Sequence, residues 1–405
     1  MKLKKLASFM CAALGSLAIQ NAQAADAISD GVVKVGVMTD MSGVYSALAG
    51  QGSVVAAKMA IEDIGGKLLG KPVELVSIDH LNKPDIAASK AREWFDNDKV
   101  DMITDLVTSS VGLAVQQVAR DKNRITINSG AGSTALTNKN CSPTGIHWAY
   151  DTYALANGTG NAMVKDGNDS WYFVTADYAF GHSLETETAN VVKANGGKVL
   201  GSVRHPLSAS DFSSFLISAQ SSGAKAIGLA NAGADLTNAI KQAREFGINK
   251  KQKLASLLMF ITDVHGLGLE SAQGLYLTEG FYWDMDNETR AWSKRFFERH
   301  KKMPTMVHAG VYSSMMHYFK AIQAAGTDEA QAVMAKMREL PVKDFFARNG
   351  KLRADGRMVH DMYLMQVKAP NESKYPWDYY HIRRVIPADQ AFMPLDKSEC
   401  PLVKK

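Results

Sequence analysis

From residue 31 onward the chain alternates short apolar, β-branched runs with longer stretches of helical period. Residues 32–37 read as a buried strand; residues 47–64, where Val54, Val55, Ala57, Met59, Ala60 and Ile61 recur on one face, read as a helix ended by Gly65 and Gly66. A strand at 73–78, a helix at 85–95 opened by Pro84, a strand at 100–104, a helix at 110–120 and a strand at 124–128 continue the cycle. After Trp148 a second series runs through a helix at 153–165, then strands at 171–175, 198–203 and 224–230 alternating with helices at 183–194, 212–221 and 236–246. Strands and helices alternating at these lengths predict βαβ crossovers and parallel sheets. Two such series predict an α/β protein of two sandwich lobes, with ligand bound at the carboxyl ends of the strands in a cleft between them.

Composition bounds this picture. The chain has 405 residues, a prior for two or three domains, and its 46% apolar and 21% charged residues are ordinary globular usage. Its first segment reads as an export signal: Lys2, Lys4 and Lys5 form a basic start, residues 6–19 an apolar stretch, and Ala22-Gln23-Ala24 a small-x-small cleavage pattern, so cleavage is expected after Ala24. Loss of the three lysines lowers the formal charge from +5 to +2, which offers nothing to nucleic acid. Cleavage also removes Cys11 and leaves Cys141 and Cys400, each beside a proline, in an oxidising compartment where two thiols are expected to pair.

Candidate chemistry is sparse and polar without being catalytic. Gly130-Ala131-Gly132-Ser133-Thr134-Ala135 matches the dinucleotide fingerprint by letter, yet no long helix follows it, so it reads as a bare-backbone loop that lets main chain approach a ligand. Thr108-Ser109-Ser110 marks a strand-to-helix handover, where free N–H groups and hydroxyls suit a carboxylate. Tyr150, Tyr153, Tyr178 and Phe180 fall in loops past strand ends and are candidate cleft walls. There is no G-x-S-x-G elbow, no H-E-x-x-H and no Walker loop, and the ten histidines lack metal-ligand spacing. Asp284-Met285-Asp286-Asn287 begins like a calcium loop but lacks its glycine and terminal glutamate. No cofactor and no metal are expected.

Met41-Ser42-Gly43, Thr108-Ser109-Ser110, the loop from Ser129 through Gly130, Ala131 and Gly132 to Ser133, Asp177-Tyr178-Ala179-Phe180-Gly181, and Asn231-Ala232-Gly233 before Gln242-Ala243-Arg244 together resemble the periplasmic leucine/isoleucine/valine-binding protein family. The resemblance covers essentially the whole mature chain. It implies a type I periplasmic binding fold, two Rossmann-like lobes joined by three crossings, which closes on a small solute and passes it to the membrane permease of an ABC importer; a monomer is expected. Residues 25–147 with 280–353 would form the first lobe, and 148–279 with 354–405 the second lobe and tail.

Carried over by position, the resemblance places a ligand carboxylate on Thr108, Ser109 and the Gly130–Ser133 loop, with further contacts from Tyr45, Leu48, Phe180, Asn231 and Ala232. Amino-acid binders of the family set a glutamate against the ligand ammonium. Here Leu258, Met259 or Phe260 falls at that place, and Asp263 is the nearest acid. An apolar or aromatic carboxylic or keto acid is therefore expected, with a branched-chain amino acid as the alternative should Asp263 take the ammonium. A sensory subunit of the same fold and a secreted α/β hydrolase are the other function classes in view.

Overall fold

The computed structural model describes residues 27–404, so the export signal and its cleavage point lie outside the described residues. Among those described, no helix is long and apolar enough to cross a membrane. The first series forms strands β1 (Val33–Thr39), β2 (Lys67–Leu68), β3 (Lys71–Asp79), β4 (Met102–Asp105), β5 (Ile125–Asn128) and β6 (Gly145–His147), with helices α1 (Gly50–Asp63), α2 (Pro84–Asp96) and α3 (Ser109–Asp121) in the crossovers. The sheet order is β2-β3-β1-β4-β5-β6, parallel throughout except for the short β2–β3 pair. Helix packing is close enough to dictate composition: a Cβ on Gly36 of β1 would lie 2.5 Å from the indole of Trp94 in α2.

The second series begins with α4 (Thr152–Leu155), a π-turn at Ala156–Gly160 and α5 (Asn161–Lys165), where the sequence pattern predicts one uninterrupted helix at 153–165. The wide turn has a local cause. Gly158 lies so near a neighbouring strand that a Cβ there would be 2.1 Å from Thr278 Oγ1, and Gly158 and Gly160 weaken the regular helical ladder. Strands β7 (Ser170–Ala176), β8 (Lys198–His205), β9 (Ala226–Ala230) and β10 (Lys253–Ser256) follow, with α6 (Ala179–Ala194), α7 (Ser213–Ser221) and α8 (Gly233–Glu245) between them and α9 (Ile261–Leu267) and α10 (Leu269–Ala272) after. They pair in parallel in the order β10-β9-β7-β8.

The remaining third of the chain serves both halves. After β11 (Tyr276–Glu279), helices α11 (Asn287–His300), α12 (Met306–Ala325) and α13 (Ala330–Glu339) return to the first sheet, where α11 and α12 pack on α1. Asp286 of the calcium-like stretch is the cap of α11, accepting from the amides of Glu288 and Thr289, both at 2.9 Å. The chain then forms the hairpin β12 (Lys351–Leu352) and β13 (Met358–Val359), strands β14 (Met362–Val367) and β15 (Tyr380–Ile386), and α14 (Ala388–Ala391). Strands β11, β14 and β15 make an antiparallel sheet beside β10. The tail ends on the first half through a disulfide between Cys141 and Cys400, a sequence separation of 259 residues; closing so long a loop is worth about 5–6 kcal/mol in the chain-entropy view.

Three segments cross between the halves, around residues 147–152, 279–282 and 356–362, and they lie against one another. Arg357 joins two of them from full burial, its guanidinium donating to the carbonyls of Trp148 (2.6 Å) and Tyr150 (2.8 Å) while its Nε donates to Met358 O (3.0 Å). The ring of Phe392 lies 4.4 Å from its centre and Asp151 3.8 Å away. His360 adds a contact to Ala149 O at 2.9 Å, and a Cβ on Gly280 of the middle crossing would come within 2.7 Å of the His360 ring. Burial drives the pKa of His360 down to about 4 and that of Arg357 down to about 10, so at neutral pH the imidazole is neutral and the guanidinium charged. Arg357→Met should lower unfolding stability in urea by about 3–5 kcal/mol, because three carbonyls lose charged donors and Asp151 loses its cation; an unchanged midpoint would show the crossings are held otherwise.

Candidate ligand-binding cleft

Every loop facing the space between the two parallel sheets follows the carboxyl end of a strand. After β1, Asp40 shapes its loop by accepting from the amides of Gly43 (2.6 Å) and Tyr45 (2.9 Å) and from Asn82 Nδ2 (2.8 Å), which turns Tyr45 and Leu48 inward. Val107 and Thr108 follow β4, the Ser129–Ser133 loop follows β5, and Tyr150 follows β6. From the other sheet, Tyr178 and Phe180 follow β7, Ala232 follows β9, and Leu258 and Phe260 follow β10.

These side chains enclose one small cavity. Tyr45, Leu48, Val107 and Tyr150 line it from the first half; Tyr178, Phe180, Ala232, Leu258 and Phe260 line it from the second. Only about 10 Å³ within it is open to the centre of a water-sized sphere, room for about one water. The halves are drawn together: the Tyr45 and Tyr178 hydroxyls meet at 2.5 Å, Ala234 N–H donates to Val44 O at 3.1 Å, and Thr134 Oγ1 reaches Glu187 at 3.1 Å. Gly233 makes this approach feasible. Its φ is +59°, and a Cβ there would lie 2.3 Å from Val44 O.

The polar cradle expected for a carboxylate is present but engaged. Ser109 Oγ accepts from the amides of Gly132 (3.2 Å) and Ser133 (3.1 Å), the amides of Ser129 and Gly130 donate to Asp105 O at 3.1 and 3.0 Å, and Thr108 Oγ1 donates to Asn82 Oδ1. Ala131 O is held by His147, and Tyr150 OH donates to Gly130 O at 2.5 Å. Gly132 touches the wall, since a Cβ on it would lie 2.9 Å from the rings of both Phe180 and Tyr150. Ser109, the first residue of α3, thus holds the Gly132 and Ser133 amides toward the positive end of that helix.

Other expected residues sit apart from the cavity wall. Asn231 is buried with its Nδ2 3.1 Å from His205 Nε2. Tyr153 is partly exposed, beside Asn157 and Glu187. Asp263 caps its own helix, its carboxylate accepting from Phe260 N–H at 2.9 Å, and burial pushes its pKa up to about 7. The sequence reading missed Val107 as a wall residue and named Leu258 only as a replacement for the family's acid. Both were within reach of the pattern, Val107 as the apolar neighbour of Thr108 and Leu258 two residues before Phe260. It also missed two buried carboxyls behind the wall, Asp105 and Asp235, whose pKa values burial raises to about 6 and about 7. Among the described residues no group of three or more His, Cys, Asp or Glu side chains is placed to hold a metal ion.

Known proteins share this arrangement. The periplasmic binding protein family matches residues 32–374. The structure of a periplasmic binding protein from Burkholderia mallei is 56% identical, spans 92% of this chain and 100% of its own, and superposes with a TM-score of 0.91. That of a branched chain amino acid ABC transporter periplasmic ligand-binding protein from Burkholderia xenovorans LB400 is 42% identical over 92% of this chain and 100% of its own, with a TM-score of 0.82. Leu/Ile/Val-binding protein homolog 6 of Brucella abortus is 24% identical over 383 residues, 90% of this chain and 94% of that protein. With two parallel sheets facing each other across a cleft, three crossings and a match over most of its length, this chain belongs to the periplasmic binding protein family.

Proposed function

We propose that the protein is the solute receptor of a branched-chain-amino-acid-type ABC importer, and that its solute is a small apolar or aromatic carboxylic or keto acid delivered to the membrane permease. The observation that carries the ligand class is the cavity wall, which is wholly aliphatic and aromatic, with Leu258 and Phe260 where the family's ammonium-binding acid is expected. Asp263 is committed to the Phe260 amide. An ammonium buried against that wall would cost several kcal/mol, whereas a carboxylate on Ser109, Thr108 and the Gly132 and Ser133 amides would gain about 1.5–3 kcal/mol per charge-assisted bond. The proposed lobes are 25–147 with 280–353, and 148–279 with 354–405, the last range holding the rest of the second lobe and the C-terminal tail.

The second reading is a branched-chain amino acid. It is favoured by the 42% identical relative named for such a transporter and by Asp105 and Asp235, which stand buried behind the wall. A thermal-shift panel of leucine, its keto acid, benzoate-type and phenylpropanoid acids separates the two. The carboxylic-acid reading expects the acids, and not leucine, to raise the melting temperature. Thr108→Val should weaken all of them alike, and Phe180→Ala should discriminate by size.

Closure is the second expectation, because a cavity this small admits a solute only when the halves part. Solution scattering should show a smaller radius with ligand than without. Gly233→Ala should keep the fold but block the Val44–Ala234 approach, so that ligand no longer contracts the protein and its Kd rises at least about tenfold, the equivalent of one lost contact set of about 1.4 kcal/mol.

Asp263 gives a pH test of the same question. Its folded pKa of about 7 lies above the ordinary carboxylate value of 3.8, so the native state loses stability as pH rises from about 4 to 7 and keeps that loss above it. Asp263→Asn should therefore gain melting temperature over the parent as pH rises from about 4.5 to 8, with binding of the acids unchanged. A variant that stays folded and loses leucine binding would instead assign Asp263 to an ammonium.

A further inference from the structure

A second cavity lies away from the cleft, at the opposite end of the second sheet. Its volume is about 480 Å³, within the range of small-molecule sites, and it opens beside the first residues of β10 and β11, Lys253 and Tyr276. The cleft residues Leu258 and Phe260 follow the other end of β10, so at about 3.3 Å per residue the two sites stand on the order of 15 Å apart.

Arg244, near the end of α8, lines this cavity half-buried. Among the described residues its side chain has no hydrogen bond and no ion pair, and its Nε is shut off from solvent without an acceptor. Burial lowers its pKa with no acid beside it to offset the effect. The Oδ1 of Asn249, on the same wall, is likewise buried without a donor. Lys253 adds a second cation without an ion pair, while the acid on the wall, Asp166, bears on the Tyr276 hydroxyl, whose pKa is raised by burial first and by Asp166 second. Met163, Leu254 and Leu275 supply an apolar surface. Holding a guanidinium half out of water with no partner is unfavourable, and an external oxyanion removes the penalty. With Nε closed off, the two Nη groups are the part of the guanidinium left to meet a ligand, and end-on they can give two parallel bonds to a planar carboxylate.

We propose that this cavity is a second binding site, for a small carboxylate with an apolar tail, held end-on by the two Nη groups of Arg244 and steered by Lys253. The site is independent of whatever the cleft binds.

The test is amide-resolved NMR titration of the full mature chain with butyrate, inorganic phosphate and the neutral isostere butyramide. Butyrate should shift the amides around residues 249–253 and 273–276 saturably, with a Kd of about 1–10 mM as suits one half-exposed bidentate contact. Phosphate should bind more weakly and butyramide not at all. Arg244→Gln should weaken butyrate at least about tenfold at these amides and leave any response at 130–133 unchanged; Lys253→Gln, at an exposed position, should weaken it less and guards against a misfolded first variant. Absence of saturable shifts there, equal binding by Arg244→Gln, or shifts confined to the cleft would each overturn the proposal. Phosphate binding as tightly as butyrate would overturn the carboxylate class.

Discussion

A single buried cation holds the frame in which everything else is placed. Arg357 has lost its water entirely, and what replaces that water is main chain: the carbonyls of Trp148, Tyr150 and Met358, with the face of Phe392 and the carboxyl of Asp151 close by. Carbonyls accept a guanidinium without adding a formal charge of their own, so the cation satisfies backbone that would otherwise be orphaned where strands end and sheets change. The crossings are thereby fixed in register while remaining short. A hinge needs that combination, since the segments that bend must be few and their ends must not wander.

From that frame the cleft follows. Both parallel sheets present the carboxyl ends of their strands to the same space, so loops of four residues or fewer suffice to aim Val107, Tyr150, Ala232, Leu258 and Phe260 at a common point. The Ser109 hydroxyl already accepts from the amides of Gly132 and Ser133, so the loop is organised by the protein's own groups.

Much of this was legible in the sequence, for a physical reason. Buried parallel strands carry continuous β-branched runs, and the crossover helices carry a clear period, so the two βα series stood out to residue 246. The Gly130 loop and the Tyr150, Tyr178 and Phe180 walls were readable because glycine and aromatic residues just past a strand end have few other uses. The last third was not. Strand β15 has exposed arginines at its centre and pairs antiparallel, and β12 and β13 have two residues each, so neither pattern nor length marked them. The π-turn was hidden because its cause, Thr278, lies more than a hundred residues away. Asp263 looked available as an acid because a sequence does not show that its partner is the amide three residues before it.

The bond between Cys141 and Cys400 makes a covalent ring of most of the molecule. The second parallel sheet and all three crossings lie on that ring, whereas β1 to β5 precede it. The second half is thus tethered to the other at both of its ends, and a single cut of the backbone within it opens the ring without releasing a piece. The ring also cannot close until two cysteines 259 residues apart in sequence have been brought together, so the bond joins a chain whose two halves already lie side by side.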